Sequence, residues 1–253
     1  MTPTPRQSGI VEAVRTQGPQ TIETLAEMFD VTLQTVRRDV TRLAEAGLLA
    51  RFHGGVRLPG STTENIAYRQ RQALAADEKR RIAQAIAQRE PNGCSLVMNV
   101  GTTIEAVAHE LRNHSGLRVI TNNLNVAALL STNQSCEVIV AGGVVRASDQ
   151  AITGEATVDF IRQFKVDIGL IGISGIEMDG TLRDFDYREV RVARTIIEQS
   201  REVWLATDHT KFQRDAMVKL ADLKEIDRIF TDQNPPAHIQ DLMHQHGVDC
   251  VIA

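Results

Sequence analysis

The chain has 253 residues, enough for one large domain or for a small domain joined to one of ordinary size. Hydrophobic residues make up 42% and charged residues 24%, a balance that excludes long disorder and fibrous repeats. The 28 basic and 32 acidic side chains leave a net charge of −4, which excludes a protein that coats nucleic acid by general basicity.

The charge is unevenly spread. From Met1 to Gly60 there are seven arginines and six carboxylates, net +1, which leaves −5 for the rest. That split fits a small DNA-facing module on an acidic body. No apolar run reaches the roughly 18 residues needed to cross a bilayer, and residues 1–7 lack an apolar signal-peptide core, so no membrane contact and a cytoplasmic location are expected. Cys94, Cys136 and Cys250 lie far apart beside apolar runs and form no C-x-x-C, so reduced, buried structural thiols are expected and no metal or cofactor.

In chain order, Ile10, Val11 and Val14 recur at helical spacing before a stop at Gly18-Pro19. Thr21 then predicts an N-cap for a short helix bearing Ile22, Leu25, Ala26 and Phe29, interrupted at Asp30-Val31. Thr32 caps a second helix through Val36, Val40, Leu43 and Ala44, which ends at Ala46-Gly47 with glycine just past the cap. Two helices joined so tightly predict helix-turn-helix geometry. Leu48 to Leu58 follows as two short β-capable runs around Gly54-Gly55, a hairpin or wing.

On the second helix, Gln34, Thr35, Arg37 and Arg38 fall largely off the apolar face, free to enter a major groove. Arginine can pair with guanine and glutamine with adenine, while threonine and further arginine fix phosphates. The wing adds Arg51, His53 and Arg57. The alternative is a solvated helix face whose arginines pair with Asp39 and Glu45; cap, turn, basic helix and wing together favour operator DNA as the partner.

Residues 1–60 are therefore read as a winged helix-turn-helix, 61–90 as a polar linker and connecting helix with apolar Leu74, Ile82 and Ile86, and 91–253 as a sensor domain. In that last part, short apolar runs at 96–100, 117–121, 138–141, 166–171, 203–207, 228–231 and 248–252 alternate with helical patterns. This is the α/β signature of a mainly parallel sheet covered by helices, whose ligand crevice lies at the carboxyl ends of the strands.

The loops at those ends carry the chemistry. Asn99-Val100-Gly101-Thr102-Thr103 leads from a strand into a helix and offers backbone N–H groups and two hydroxyls where the dipole favours an anion, though the same residues could serve only as a cap. Asn122 and Asn123, Gly142 and Gly143 with Arg146 nearby, Ser174 and Gly175, and Lys211 complete a set suited to a small polyol phosphate. Asp184, Asp186 and Glu189 fit either a solvated helix start or, in an enzyme, a base.

With these motifs the sequence resembles the DeoR family of bacterial repressors. The resemblance rests on Arg6, Ile10 and Val14, on Thr32 and the run Thr35 to Val40, and on Arg51 to Gly55. It continues through Arg80–Ala83, Thr121–Ala127, Gly154–Thr157 and Ile173–Ile176 over nearly the whole chain. It implies a C-terminal domain similar to ribose-5-phosphate isomerase, phosphate contacts at Gly101, Thr102, Thr103 and Lys211, and dimers or tetramers. It further implies a phosphorylated sugar or breakdown product as effector, with glycerol 3-phosphate the expected one. Many members carry aspartate where this chain has Asn99. The competing function is a sugar-phosphate isomerase fused to a DNA-binding module.

Overall fold

The computed structural model describes residues 3–17, 20–52, 55–57, 68–90, 92–212 and 214–253. They fall into two units, Met1–Ser61 and Thr62–Ala253.

The first unit runs α1 (Pro5–Gln17), β1 (Gln20–Thr21), α2 (Ile22–Met28), α3 (Leu33–Glu45), β2 (Ala50–Phe52) and β3 (Gly55–Arg57). Both threonine caps form: Thr24 N donates to Thr21 Oγ1 at 3.1 Å and Thr35 N to Thr32 Oγ1 at 3.3 Å. Between α2 and α3, Asp30 takes a left-handed turn at φ 49°, a conformation its short polar side chain tolerates. Ile10, Val14, Leu25, Val36, Val40 and Leu43 are buried together, each aliphatic side chain worth about 1.5–3 kcal/mol of transfer free energy. The wing strands β2 and β3 pair antiparallel, and β1 adds a third strand beside β3 that two residues could not announce in sequence. Gly18-Pro19 and the His53-Gly54 tip of the wing lie outside the described residues.

The second unit begins with α4 (Tyr68–Ala73) and α5 (Ala76–Ala87). It then alternates β4 (Ser95–Met98), α6 (Thr102–Glu110), β5 (Leu117–Thr121), α7 (Leu124–Leu130) and β6 (Cys136–Val140). A short hairpin, β7 (Val144–Val145) and β8 (Ile152–Thr153), precedes α8 (Glu155–Ile161) and β9 (Val166–Ile171). Then come β10 (Gly175–Ile176), β11 (Thr181–Asp184), α9 (Tyr187–Glu198), β12 (Ser200–Ala206), β13 (Val218–Asp222), β14 (Arg228–Thr231), α10 (Ala237–His246) and β15 (Asp249–Ile252).

Seven of these strands, those expected from the apolar runs, form one sheet in the order β15-β14-β12-β9-β4-β5-β6, with every neighbouring pair parallel. Both faces are covered. Leu96, Met98, Trp204 and Ala206 pack against α5, α6 and α7, whereas Val97, Val203 and Leu205 pack against α8, α9 and α10. Burial on both sides explains why the strands read as continuous apolar runs.

The segment expected to connect the domains is two helices, broken where Ala75 turns left-handed at φ 51°. Ile82, Ala83 and Ile86 of α5 are core residues of the second unit, packed with Ile104 and Val107 of α6. A second small sheet, β10-β11-β13, was not foreseen; its strands are short and polar enough to leave no period-2 signal. The expectation of three buried thiols holds for Cys94 alone. Cys136 is half-buried and Cys250 exposed, because β15 is an edge strand with one side open to water.

Candidate functional site

The second helix of the pair, α3, divides cleanly. Val36, Asp39, Val40 and Leu43 face inward, and Gln34, Arg37 and Arg38 are exposed. Asp39 is claimed by α1: Arg6 Nε donates to Oδ2 at 2.7 Å and Gln7 Nε2 to Oδ1 at 2.8 Å. Burial works against this carboxylate, yet those two bonds hold it below the usual range. The hydrogen bonds of Asp39 thus run to α1, and among the described residues Arg37 and Arg38 carry no side-chain bond or ion pair. Thr35 is half-buried, its hydroxyl 2.9 Å from that of Thr32 in the cap. Arg51 is exposed on β2, with Nη1 3.4 Å from Thr41 Oγ1. His53 and the side chain of Arg57 lie outside the described residues.

The sheet of the second unit winds outward in both directions from β4, toward β5 and β6 on one side and β9, β12, β14 and β15 on the other. The crevice between the carboxyl ends of β4 and β9 is therefore the topological switch point, where open α/β sheets bind ligands. A cavity lies there. Asn99, Gly101, Thr102 and Thr103 line it from β4 and the start of α6, Ser174 from beyond β9, and Lys211 from beyond β12. Asp184, Glu189 and Arg214 add further walls, and α4 contributes Tyr68 and Arg71.

The carboxylates of this cavity are engaged. Glu105 accepts from Tyr68 Oη at 2.7 Å and from Asn125 Nδ2 at 3.0 Å. Asp149 accepts from Arg146 Nε at 2.8 Å, and Arg146 also holds Glu189. Asp184 accepts from Ser174 Oγ at 2.9 Å and Phe185 N at 2.7 Å, and burial pushes its carboxyl up.

The cations are less well satisfied. Lys211 is buried and its side chain makes no hydrogen bond or ion pair among the described residues, and burial pushes its ammonium down to about 8 despite the nearby Asp208 carboxylate. Arg71 Nε and Asn99 Oδ1 are buried with no hydrogen-bond partner among the described residues. With the leading N–H groups of α6, which have no partner within the helix, these atoms can receive a ligand that has both an anion and a hydroxyl.

Five expected contacts do not line this cavity. Asn122 and Asn123 follow β5, on the far side of the switch: Asn122 Nδ2 donates to Ile152 O at 3.0 Å while its Oδ1 is buried without a hydrogen-bond partner among the described residues, and Asn123 Oδ1 caps α7 by accepting from Asn125 N at 2.9 Å. Gly142 and Gly143 follow β6, further out. Gly142 O accepts from Thr157 Oγ1 at 2.9 Å, and a Cβ on Gly143 would sit 2.3 Å from that hydroxyl. Gly175 is needed for close packing, since its Cβ would meet Arg214 O at 2.0 Å. Conversely, Tyr68, Arg71 and Asp149 were missed. The only trace of Tyr68 and Arg71 in sequence is an Arg/Gln-rich helix ahead of the sheet, and Asp149, between β7 and β8, left none.

Comparison with known proteins agrees with this division. Residues 6–62 match the DeoR-like helix-turn-helix domain and residues 74–233 the DeoR C terminal sensor domain. The glycerol-3-phosphate regulon repressor of Escherichia coli (strain K12) is 48% identical over 98% of both chains. That of Haemophilus influenzae is 45% identical over 95% of this chain and 93% of its own. Among solved structures, ribose 5-phosphate isomerase a from Methanocaldococcus jannaschii overlaps 55% of each chain at 14% identity and a TM-score of 0.41. With both of its units matched and such relatives along its whole length, the chain belongs to the DeoR family of DNA-binding transcriptional repressors.

Proposed function

We propose that this repressor holds its operator through Gln34, Thr35, Arg37 and Arg38 of α3, with Arg51, His53 and Arg57 of the wing on the backbone, and releases it when glycerol 3-phosphate enters the cavity at the switch point. The phosphate sits on Gly101, Thr102 and Thr103 at the start of α6, with Lys211 as its cation. Asn99 Oδ1 accepts from a glycerol hydroxyl, and Ser174 flanks it. An aspartate at position 99 would set a second negative charge beside the dianion, so the amide suits this ligand. The observation that carries the reading is the Lys211 ammonium, without a side-chain hydrogen bond or ion pair among the described residues and buried where a helix N-terminus opens into the cavity. The relatives named for glycerol 3-phosphate supply the choice of effector. The protein acts as a dimer or tetramer in the cytoplasm, since a single winged module reads too few base pairs for repression.

The test is a DNA-binding titration with glycerol 3-phosphate on wild type and on Thr102→Ala combined with Lys211→Ala. Hydrogen bonds to charged groups contribute about 1.5–3 kcal/mol each, so the double variant loses the effector by two or more orders of magnitude while binding DNA as before. A variant that responds at the wild-type concentration places the phosphate elsewhere. Light scattering at micromolar concentration checks the oligomer.

One observation favours a second reading, an isomerase. Asp184 is a carboxyl of raised pKa inside the cavity. Incubation with aldose and ketose phosphates followed by NMR decides it: binding without turnover is expected, and turnover would establish the enzyme.

A further inference from the structure

Two walls of the cavity come from α4, a helix of six residues, none of them buried. So short a helix has little stability of its own in water. Polar contacts hold it. Tyr68 Oη donates to Glu105 Oε2 at 2.7 Å and accepts from Asn125 Nδ2 at 3.0 Å. Thr102 Oγ1 donates to Arg71 O at a long 3.4 Å. The buried Lys79 ammonium donates to the carbonyls of Arg71 and Leu74, the latter at 2.6 Å. The Arg71 guanidinium is the loosest tie. Its Nη2 is 3.4 Å from Asp149 Oδ2, a carboxylate already held by Arg146, and its Nε is buried without a partner among the described residues.

Two of these ties run to α6, whose first residue is Thr102 and whose next turn carries Glu105. A dianion at the start of α6 offers Arg71 a charge-assisted, two-pronged pair in place of a 3.4 Å contact to an occupied carboxylate. It also takes the Thr102 hydroxyl from its long bond to Arg71 O. An arginine–phosphate pair would then fasten α4 to α6 where marginal contacts do so without ligand. In chain order α4 is the first described element after the DNA-reading unit, which ends at Ser61.

We propose that α4 is the switch of this repressor: the effector binds Arg71, fixes α4 on α6, and the change of docking, passed along the chain, lowers operator affinity. This rests on the reading that a phosphorylated effector occupies the cavity. Lys211 binds the anion, whereas Arg71 both binds it and transmits its arrival. Coupling of this kind requires the ligand to distinguish two arrangements of one element, and the loosely held α4 supplies them.

The test separates binding from release in the full-length chain. Calorimetry measures glycerol 3-phosphate affinity, and operator affinity is measured at saturating effector on a duplex selected from a random pool by the ligand-free protein. Wild type binds the effector, releases the duplex, and slows amide exchange over residues 69–74 by roughly fivefold or more. Arg71→Ala binds the effector roughly 10- to 100-fold more weakly yet, once saturated, keeps the duplex at ligand-free affinity. Asn125→Ala, outside the cavity, removes a donor to the Tyr68 hydroxyl that helps hold α4 and guards against a folding defect. It holds effector affinity within roughly threefold and loses part of the release. Normal release by saturated Arg71→Ala, or exchange over 69–74 indifferent to effector in wild type, overturns the switch. Failure of the underlying reading looks different: wild type gives no heat and no release with glycerol 3-phosphate, and the switch falls with it.

Discussion

The two units hold their candidate binding cations in opposite ways. Arg37 and Arg38 stand in water on α3 with no partner among the described residues, whereas Lys211 is buried in a cavity with no side-chain hydrogen bond among them, beside an Arg71 Nε that is buried without a hydrogen-bond partner there. An exposed guanidinium costs nothing to keep charged, and its attraction to phosphate is long-ranged, non-selective and screened by salt. A buried ammonium is costly to keep charged, and what it gains in return is a strong response to a small anion that fits. A surface proposed to find one site among many DNA sequences and a pocket proposed to recognise one metabolite call for these different solutions.

The contrast can be broken most forcefully on the DNA side. Arg37→Ala with Arg38→Ala is expected to lose about 2–6 kcal/mol of operator binding and to flatten the salt dependence by up to about two phosphate equivalents, with effector binding unchanged. A gel shift across a salt series reads both. Normal operator affinity in this variant would show that α3 does not read DNA.

The converse holds for the cavity. Lys211 lies at about 8 against an ordinary 10.5 because burial disfavours its charge, so at neutral pH it strains the fold it sits in. Lys211→Met is expected to raise stability by about 2–4 kcal/mol while abolishing the effector response. In wild type the unfolded chain binds more protons than the folded one between pH 8 and 10.5, so stability contributed by this group rises with pH across that window. Denaturant melts of both proteins at pH 7 and pH 10 check the sign. A destabilised Lys211→Met would mean the ammonium has a partner that holds it.

The same group sharpens the comparison further. Effector affinity is expected to fall about fivefold from pH 8 to pH 9, as Lys211 loses its proton, while ligand-free operator binding through arginines stays level. Calorimetry and gel shifts in matched buffers follow the two curves; parallel curves would remove Lys211 from the effector site. The smallest expected effect tests the scaffold of the reading helix. Thr32→Ala removes the cap oxygen that accepts from Thr35 N and should cost about 1 kcal/mol of stability in the first unit, seen as a lowered melting temperature.

Local signals in the chain were sufficient for the elements. Thr21 and Thr32 announced their helices because a cap is a contact over three residues. The seven strands of the main sheet announced themselves because burial on both faces forces an apolar run. The loop at Gly101-Thr102-Thr103 was legible for the same reason, since strand, glycine and helix start are adjacent in sequence.

What the sequence could not contain was which loops meet. Lys211 joins Thr102 because β12 and β4 stand on either side of β9, and Asn122 and Gly142 miss the cavity because β5 and β6 lie across the switch point. Arg71 enters it from a helix far upstream, and Asp39 leaves the reading face because α1 brings Arg6 and Gln7 to it. The sequence by itself determined the helices, the strands and the chemistry of each loop, which depend on neighbours a few residues apart. Strand order and the packing of distant helices are set by burying both faces of the sheet at once, and that tertiary requirement alone decided which of those loops became a site.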